Sequence, residues 1–139
     1  MAELLVTGGA GFIGSNFVRH WRARHPGDGI VVLDALTYAG NLSNLEGVGG
    51  VTFVRGDIRD GRLTRDLLRE RDIGTLVHFA AESHVDRSID APDAFIETNV
   101  LGTHELLKAA RDVWLGDGGR AQHHFHHVST DEVFGSLGA

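Results

Sequence analysis

Residues 7–14 read TGGAGFIG, a glycine turn between a short apolar run at residues 4–6 and an amphipathic helical pattern. Within the turn, Gly8, Gly11 and Gly14 recur every three residues. In a strand, turn and helix of this kind, the first glycine permits the tight turn, the second lets the backbone approach a pyrophosphate, and the third lets the helix pack closely on the strand. The N–H groups at the start of the helix then face the anion. The pattern indicates a dinucleotide site, and a loop that only turns the chain is the alternative.

An acidic residue gives a second, independent sign. A dinucleotide site needs a carboxylate at the end of the second strand, about 20 residues beyond the turn, to accept hydrogen bonds from the adenosine ribose. The apolar run at residues 30–33 ends at Asp34, which follows Gly14 by that interval. Because Ala35 rather than a cation comes next, Asp34 would repel the 2′-phosphate of NADP. The sequence therefore favours NAD.

Short buried strands alternate with amphipathic helices along the rest of the chain. Further apolar runs predict strands at residues 51–54, 76–79 and about 124–128, and apolar residues at helical spacing predict helices at about 13–24, 62–71 and 92–114. The apolar faces are those of Ile13, Phe17 and Trp21 in the first helix and Ile96, Val100, Leu107, Ala110 and Trp114 in the last. This order predicts an α/β fold in which right-handed crossovers build a doubly wound parallel sheet of the Rossmann type, with at least five strands and flanking helices.

The composition excludes several kinds of partner. Thirteen basic and nineteen acidic side chains give a net charge of −6 without a block of Lys or Arg, so we expect no nucleic acid partner. No apolar run approaches the roughly 18 residues that span a bilayer, so we expect no membrane contact. The chain has no Cys, which is compatible with a reducing compartment, and we expect a soluble cytoplasmic protein. The length of 139 residues suits one domain, or one lobe of a larger one.

Three stretches in the first half of the chain resemble a known family. TGGAGFIG is the form of the glycine fingerprint found in extended short-chain dehydrogenase/reductases, and LDALTYAGN at residues 33–41 closely resembles the matching loop of dTDP-glucose 4,6-dehydratases. The GDI at residues 56–58 matches the segment that flanks the adenine in that family, although a turn residue or helix cap is the alternative for Asp57. The resemblance implies an NAD cofactor, with Phe12 and Ile13 along the pyrophosphate and Asp34, Ala35, Leu36, Thr37, Asp57 and Ile58 around the adenosine.

HFAAESHVDRSI at residues 78–89 looks like the family's signature segment. The resemblance implies cofactor contacts from Phe79, Ala80, Ala81, Ser83 and Thr98, and contacts with a sugar nucleotide from Ser83, His84 and Arg87. Arg87 is the cation best suited to a diphosphate, because a guanidinium offers a fork of donors. An ordinary surface ion pair with Asp86 or Asp90 is the alternative. Asn99 matches a structural asparagine of the family.

STDEV at residues 129–133 follows the fifth predicted strand, where open α/β sheets place their ligands. In the dehydratases that it resembles, the threonine binds the sugar's 4-hydroxyl, the aspartate is the general acid and the glutamate is the general base of a dehydration. The resemblance therefore implies these catalytic roles for Thr130, Asp131 and Glu132. A helix N-cap is the alternative reading of this stretch. Related 4-epimerases have no need of an acidic pair here, so the pair favours a dehydratase.

Some features depart from the family. Its Tyr-x-x-x-Lys is absent from these residues, whose single tyrosine is Tyr38, and the last strand and the C-terminal substrate lobe are missing as well. We therefore expect residues 1–139 to be an NAD-binding domain that is incomplete at its C-terminal end and does not complete turnover alone. Phe134 stands where the family usually has tyrosine. Strand alternation splits His123, His124, His126 and His127 between two faces, so we expect no metal site.

The expected function is NAD-dependent dehydration of a nucleoside-diphosphate glucose, best matched by dTDP-glucose, to a 4-keto-6-deoxy sugar nucleotide. A homodimer built through the long helix is expected from the resemblance. Two alternatives stay open. One is a sister enzyme, either a 4-epimerase or a dehydratase for another nucleotide sugar. The other is a non-catalytic NAD-sensing module, although such a module has no use for an elimination pair.

Overall fold

Five parallel strands form a single sheet in a computed structural model of the chain, which describes residues 2–116, 118–119, 121–136 and 138. The strands are β1 (Glu3–Thr7), β2 (Gly29–Asp34), β3 (Val51–Arg55), β4 (Thr75–His78) and β5 (His124–His127). Their order across the sheet is β3-β2-β1-β4-β5. The chain builds outward from β1 on one side and then continues on the other, which confirms the doubly wound Rossmann-type sheet.

The helices are α1 (Phe12–Arg24), α2 (Gly61–Glu70), α3 (Val85–Asp90), α4 (Pro92–Phe95), a π-helix (Ile96–Gly102) and α5 (Thr103–Trp114). Two 3₁₀ turns span Leu42–Leu45 and Asp131–Phe134. The short helix α3 was not predicted from the sequence. In the part of the chain that the structure describes, no helix combines the length and apolar character needed to cross a membrane.

The central strands are apolar throughout because both faces of the sheet are covered. Leu5 of β1 and Val31 of β2 lie in a buried cluster with residues of α2 and α5. Their neighbours Val6 and Val32 point the other way, into a cluster with Val18 of α1. A strand between two helical layers has no polar face, so its sequence shows a continuous apolar run.

The long helix differs from the prediction. Its expected apolar face is only partly buried, since Ala110 and Trp114 lie in the core while Ile96, Val100 and Leu107 are 56, 54 and 48% exposed. The π-helix causes the difference. Its hydrogen bonds span five residues rather than four, so each turn contains more residues and the positions that face the core shift along the sequence. In α5, Leu106 and Ala109 join Ala110 and Trp114 in the core.

Candidate functional site

The glycine turn lies where the chain leaves β1 and comes against the segment after β4. Gly8 has φ +70°, and its N–H donates to the carbonyl of Leu33 over 2.9 Å. A Cβ placed on Gly8 would lie 2.6 Å from the backbone nitrogen of Ala80, and one on Gly14 would lie 2.3 Å from the carbonyl oxygen of Gly8. Gly11 precedes α1 without any side-chain cap, so the N-terminus of this helix keeps N–H groups for an anion.

Asp34 joins the glycine turn to the loop after β2. One carboxylate oxygen accepts from the backbone N–H of Ala10 over 2.9 Å and the other from that of Leu36 over 2.8 Å. The carbonyl of Ala10 in turn accepts from the Asn41 N–H and the Asn44 side chain. Each Asp34 oxygen keeps a further lone pair, which a ribose hydroxyl needs. The structure therefore brings together the turn and the acid that the sequence pointed to.

Phe12 and Ile13, at the first turn of α1, are 81 and 65% exposed. The spacing had predicted that Ile13 shares a buried face with Phe17 and Trp21. Phe17 and Trp21 do pack against the Val18 cluster, but Ile13 does not. Phe12 and Ile13 both belong to the first turn of α1, whose backbone N–H groups no side chain caps, and this suits the predicted pyrophosphate position. Ala35 and Leu36 are half-buried and Thr37 is exposed in the loop after Asp34.

The GDI segment is held by charge on one side and by the core on the other. Arg59 hydrogen-bonds both carboxylate oxygens of Asp57, which lowers the pKa of that carboxyl, and also contacts Glu97 of the π-helix. Asp57 is not the cap of α2, a role that Asp60 fills through the Leu63 N–H. Ile58 is buried against the π-helix. The predicted adenine contacts of Asp57 and Ile58 stay predictions.

A buried histidine that sequence reasoning missed ties three elements together under the site. His78 ends β4 at 1% exposure, with Nδ1 2.6 Å from the Thr7 hydroxyl and Nε2 2.9 Å from the Thr103 hydroxyl. The Thr7 hydroxyl also accepts from the backbone N–H of Ala80 over 3.4 Å. Burial, helped by His127, lowers the pKa of His78 to about 4. The ring is therefore neutral at pH 7, where both nitrogens serve this network.

His78 should make the fold sensitive to acid. Its pKa falls from 6.5 to about 4 on folding, so its stabilising effect is complete above about pH 6.5 and is lost as the pH falls towards 4. We expect the free energy of unfolding, measured with urea, to lose about 3 kcal/mol over this interval. In His78→Asn that loss should shrink by the same amount, whereas the exposed control His20→Gln should keep it. An equal loss in His78→Asn and the natural protein would contradict the prediction.

Asn99 fixes the segment after β4 to the π-helix. Its side-chain oxygen accepts from the Glu82 N–H, and its amide nitrogen donates to the Glu82 carbonyl, both over 2.8 Å. The Asn99 side chain thus satisfies both backbone groups of Glu82, which fits the structural role expected of Asn99. Thr98 is half-buried next to it, and Phe79 packs 5.3 Å from the ring of Phe17.

Arg87 meets an unexpected neighbour. Its guanidinium carbon lies 4.1 Å from the centre of the Tyr38 ring, in the loop after β2. Among the ion pairs of the described residues, none joins Arg87 to Asp86 or Asp90, so the surface-pair alternative is wrong for this structure. Ala81, Ser83 and His84 are exposed in the same segment.

The acidic pair lies at the same edge of the sheet. β5 pairs with β4, and the Val128 N–H donates to the carbonyl of His78, so the chain beyond β5 starts beside the segment after β4. Thr130 precedes a four-residue 3₁₀ turn and makes no side-chain capping bond. Asp131 and Glu132 are both exposed. The capping alternative therefore does not account for these residues here.

The histidines of β5 alternate as predicted. The His124 and His126 rings lie 6.0 Å apart on one face, and the His127 ring lies 5.1 Å from that of His78 on the other. His123 stacks on Trp114. No group of three or more His, Asp or Glu side chains is placed to hold a metal ion within the described residues.

Comparison with known proteins places the chain in a family. The sequence model described as GDP-mannose 4,6 dehydratase matches residues 5–139. A dTDP-glucose 4,6-dehydratase of Xanthomonas campestris pv. campestris (strain B100) is 57% identical over 143 residues, which cover 99% of this chain and 40% of the relative. The chain thus spans about 40% of the length of the curated relatives it matches.

Solved structures agree. The dTDP-glucose 4,6-dehydratase DesIV of Streptomyces venezuelae, solved with NAD and TYD bound, is 51% identical with a TM-score of 0.85, over 99% of this chain and 42% of DesIV. A UDP-glucose-4-epimerase of Stenotrophomonas maltophila, solved with NAD and formylated UDP-arabinopyranose, has the same TM-score at 30% identity, over 100% of this chain and 40% of the epimerase. The resemblance to dTDP-glucose 4,6-dehydratases is confirmed over the whole chain, and the chain belongs to the family whose sequence model is described as GDP-mannose 4,6 dehydratase.

Proposed function

We propose that this chain is the NAD-binding part of an enzyme that dehydrates dTDP-glucose to the 4-keto-6-deoxy sugar nucleotide. The observation that carries the proposal is the exposed pair Asp131 and Glu132, which no cap explains, at the edge of the sheet that also holds the glycine turn. Open α/β sheets bind their ligands at this edge, next to the strands where the order reverses. The identity with dTDP-glucose 4,6-dehydratases supports the choice of substrate.

The residues of the turn fit NAD. Gly8 lets the turn lie directly against the segment after β4, α1 offers uncapped N–H groups to the pyrophosphate, and Asp34 has free lone pairs for the ribose. Ala35 supplies no cation for a 2′-phosphate, which favours NAD over NADP. Bound NAD would take a hydride from C4 of the sugar and return it at C6.

The acidic pair performs the elimination in this proposal. Thr130 hydrogen-bonds the 4-hydroxyl and orients C4 and C5 of the sugar. A ketone at C4 makes the C5 proton acidic, so Glu132 can remove it as a general base. Asp131 donates a proton to the departing 6-hydroxyl, which leaves as water. The base that takes the 4-hydroxyl proton lies outside residues 1–139 in our proposal, because Tyr38, their one tyrosine, packs against Arg87. These residues alone therefore do not complete turnover.

The test is to mix the natural full-length protein with dTDP-glucose and follow both the cofactor and the product. We expect reduction of bound NAD and release of the 4-keto-6-deoxy product, identified by mass and NMR. The C4 epimer as sole product would indicate a 4-epimerase, and the absence of any cofactor reduction would indicate a sensor module. Comparison of dTDP-, UDP- and GDP-glucose under the same conditions shows which base is preferred.

Assembly and location complete the proposal. We propose a homodimer through the long helix, supported by the exposed apolar side chains of Ile96, Val100, Leu101 and Leu107 along it. Light scattering that gave a monomer mass for the natural protein would contradict it. A cytoplasmic location is proposed because a chain without Cys requires no oxidising compartment.

A further inference from the structure

Two loops meet across the end of β1. Both β2 and β4 pair with β1, so the loops that follow them start about 10 Å apart, on either side of the glycine turn. Tyr38 belongs to the first loop and Arg87 to the segment after β4, yet the guanidinium carbon lies 4.1 Å from the centre of the ring. Their contact therefore spans the width of the turn.

Tyr38 has several neighbours in that segment. The face of its ring lies against Arg87, and the ring of His84 lies at a steep angle to it, with centroids 6.3 Å apart. Partial burial and the nearby Glu82 carboxylate raise the pKa of Tyr38. The ring is half-exposed, yet it lies against Arg87 and His84 of one segment.

Both sides of the contact are firmly held. On the Tyr38 side, Leu36 keeps φ +53° under a hydrogen bond from its N–H to Asp34, and the Asn41 N–H donates to Ala10 in the glycine turn. On the other side, Asn99 bonds both backbone groups of Glu82. The contact therefore joins two positioned loops.

We propose that Tyr38 is a positioning residue that closes this contact over the bound dinucleotide, slows its release and holds the Arg87 guanidinium at the boundary between cofactor and sugar nucleotide. The inference rests on the proposed function, because it takes NAD to lie along the glycine turn. A cation above an aromatic face is attracted to it and keeps its N–H groups free at the rim. Arg87 can thus be held by Tyr38 and still donate to a diphosphate.

The test measures cofactor release. The natural full-length protein and its variants are loaded with NADH, excess NAD is added, and the loss of bound NADH fluorescence gives the dissociation rate without any sugar nucleotide present. We expect Tyr38→Leu and Arg87→Gln each to release NADH about three- to tenfold faster. The double variant should be no faster than either single one, since both lose the same contact. Tyr38→Phe, which keeps the ring face, should restore a rate close to that of the natural protein.

Arg62→Gln is the matched control. Arg62 lies on α2 with its side chain 90% exposed, so this substitution removes the same charge at a position away from the turn. Failure of the natural protein to bind NADH would overturn the proposed function and this inference with it. Binding by the natural protein with an unchanged release rate in Tyr38→Leu would overturn the inference alone. A Tyr38→Leu variant with a lower KM for dTDP-glucose and unchanged NADH release would also overturn the inference, because Tyr38 would then hold Arg87 away from the substrate.

Discussion

Replacing Gly8 with alanine is expected to destabilise the protein by about 3 kcal/mol or more and to abolish NADH binding at micromolar cofactor. Two costs add at this position. A side chain at φ +70° is disfavoured by about 1–2 kcal/mol. In addition, the new Cβ would lie 2.6 Å from the backbone nitrogen of Ala80, and a backbone clash in a packed interior costs about 1–3 kcal/mol. Urea unfolding of the natural protein and the variant measures the first effect, and NADH titration the second.

Gly47→Ala provides the matched control. Gly47 has φ +75°, nearly the same backbone conformation as Gly8, but a Cβ there would find no atom within 4 Å. This variant should show only the conformational cost of about 1–2 kcal/mol and should bind NADH normally. The difference between the two variants isolates the approach of the turn to the segment after β4. Equal destabilisation in both would show that this approach has no energetic weight.

Glu132→Gln is expected to lower the rate of product formation by about 10²- to 10⁴-fold, the usual contribution of a positioned general base. If Glu132 removes the C5 proton, the variant should still oxidise C4, so reduced cofactor should accumulate on the protein while no 4-keto-6-deoxy sugar is released. Asp131→Asn should retain cofactor reduction as well and lose elimination to a similar extent. Rapid mixing with dTDP-glucose, followed by cofactor absorbance and product analysis, separates the two stages.

Glu70→Gln at the end of α2 is the control for the loss of a carboxylate, because Glu70 is exposed and remote from the edge of the sheet that carries the site. Its rate should equal that of the natural protein. A Glu132→Gln variant that failed already at cofactor reduction would contradict the role assigned to this residue. It would point instead to a part in binding or in C4 oxidation.

The sheet was predictable because its central strands lie between two layers of helices. A run such as Ile30–Leu33 has no polar face, and Asp34 stands directly after it. The glycine turn was predictable for a related reason, since only glycine fits where backbones approach as closely as Gly8 and Ala80 do. The local sequence therefore shows which segments are buried on both faces and where the backbone needs glycine.

Side-chain partners distant in sequence were not predictable in this way. Nothing in the local pattern around Tyr38 indicates that its ring will meet Arg87, and His78 looks like the polar end of a strand until Thr7 and Thr103 are seen beside it. The π-helix was not predicted for another reason. A period of 3.6 residues assumes one helical geometry throughout, and at Ile96–Gly102 the geometry changes.

The pairing of β1 with β4 also has a consequence for synthesis on the ribosome. Thr7 and His78 are 71 residues apart in the chain, so at about 5–20 residues per second β4 emerges some 4–14 s after β1. During that interval β1 and β2 can pair, but the other edge of β1 presents unpaired N–H and C=O groups. The nascent chain is then open to strand addition by its neighbours.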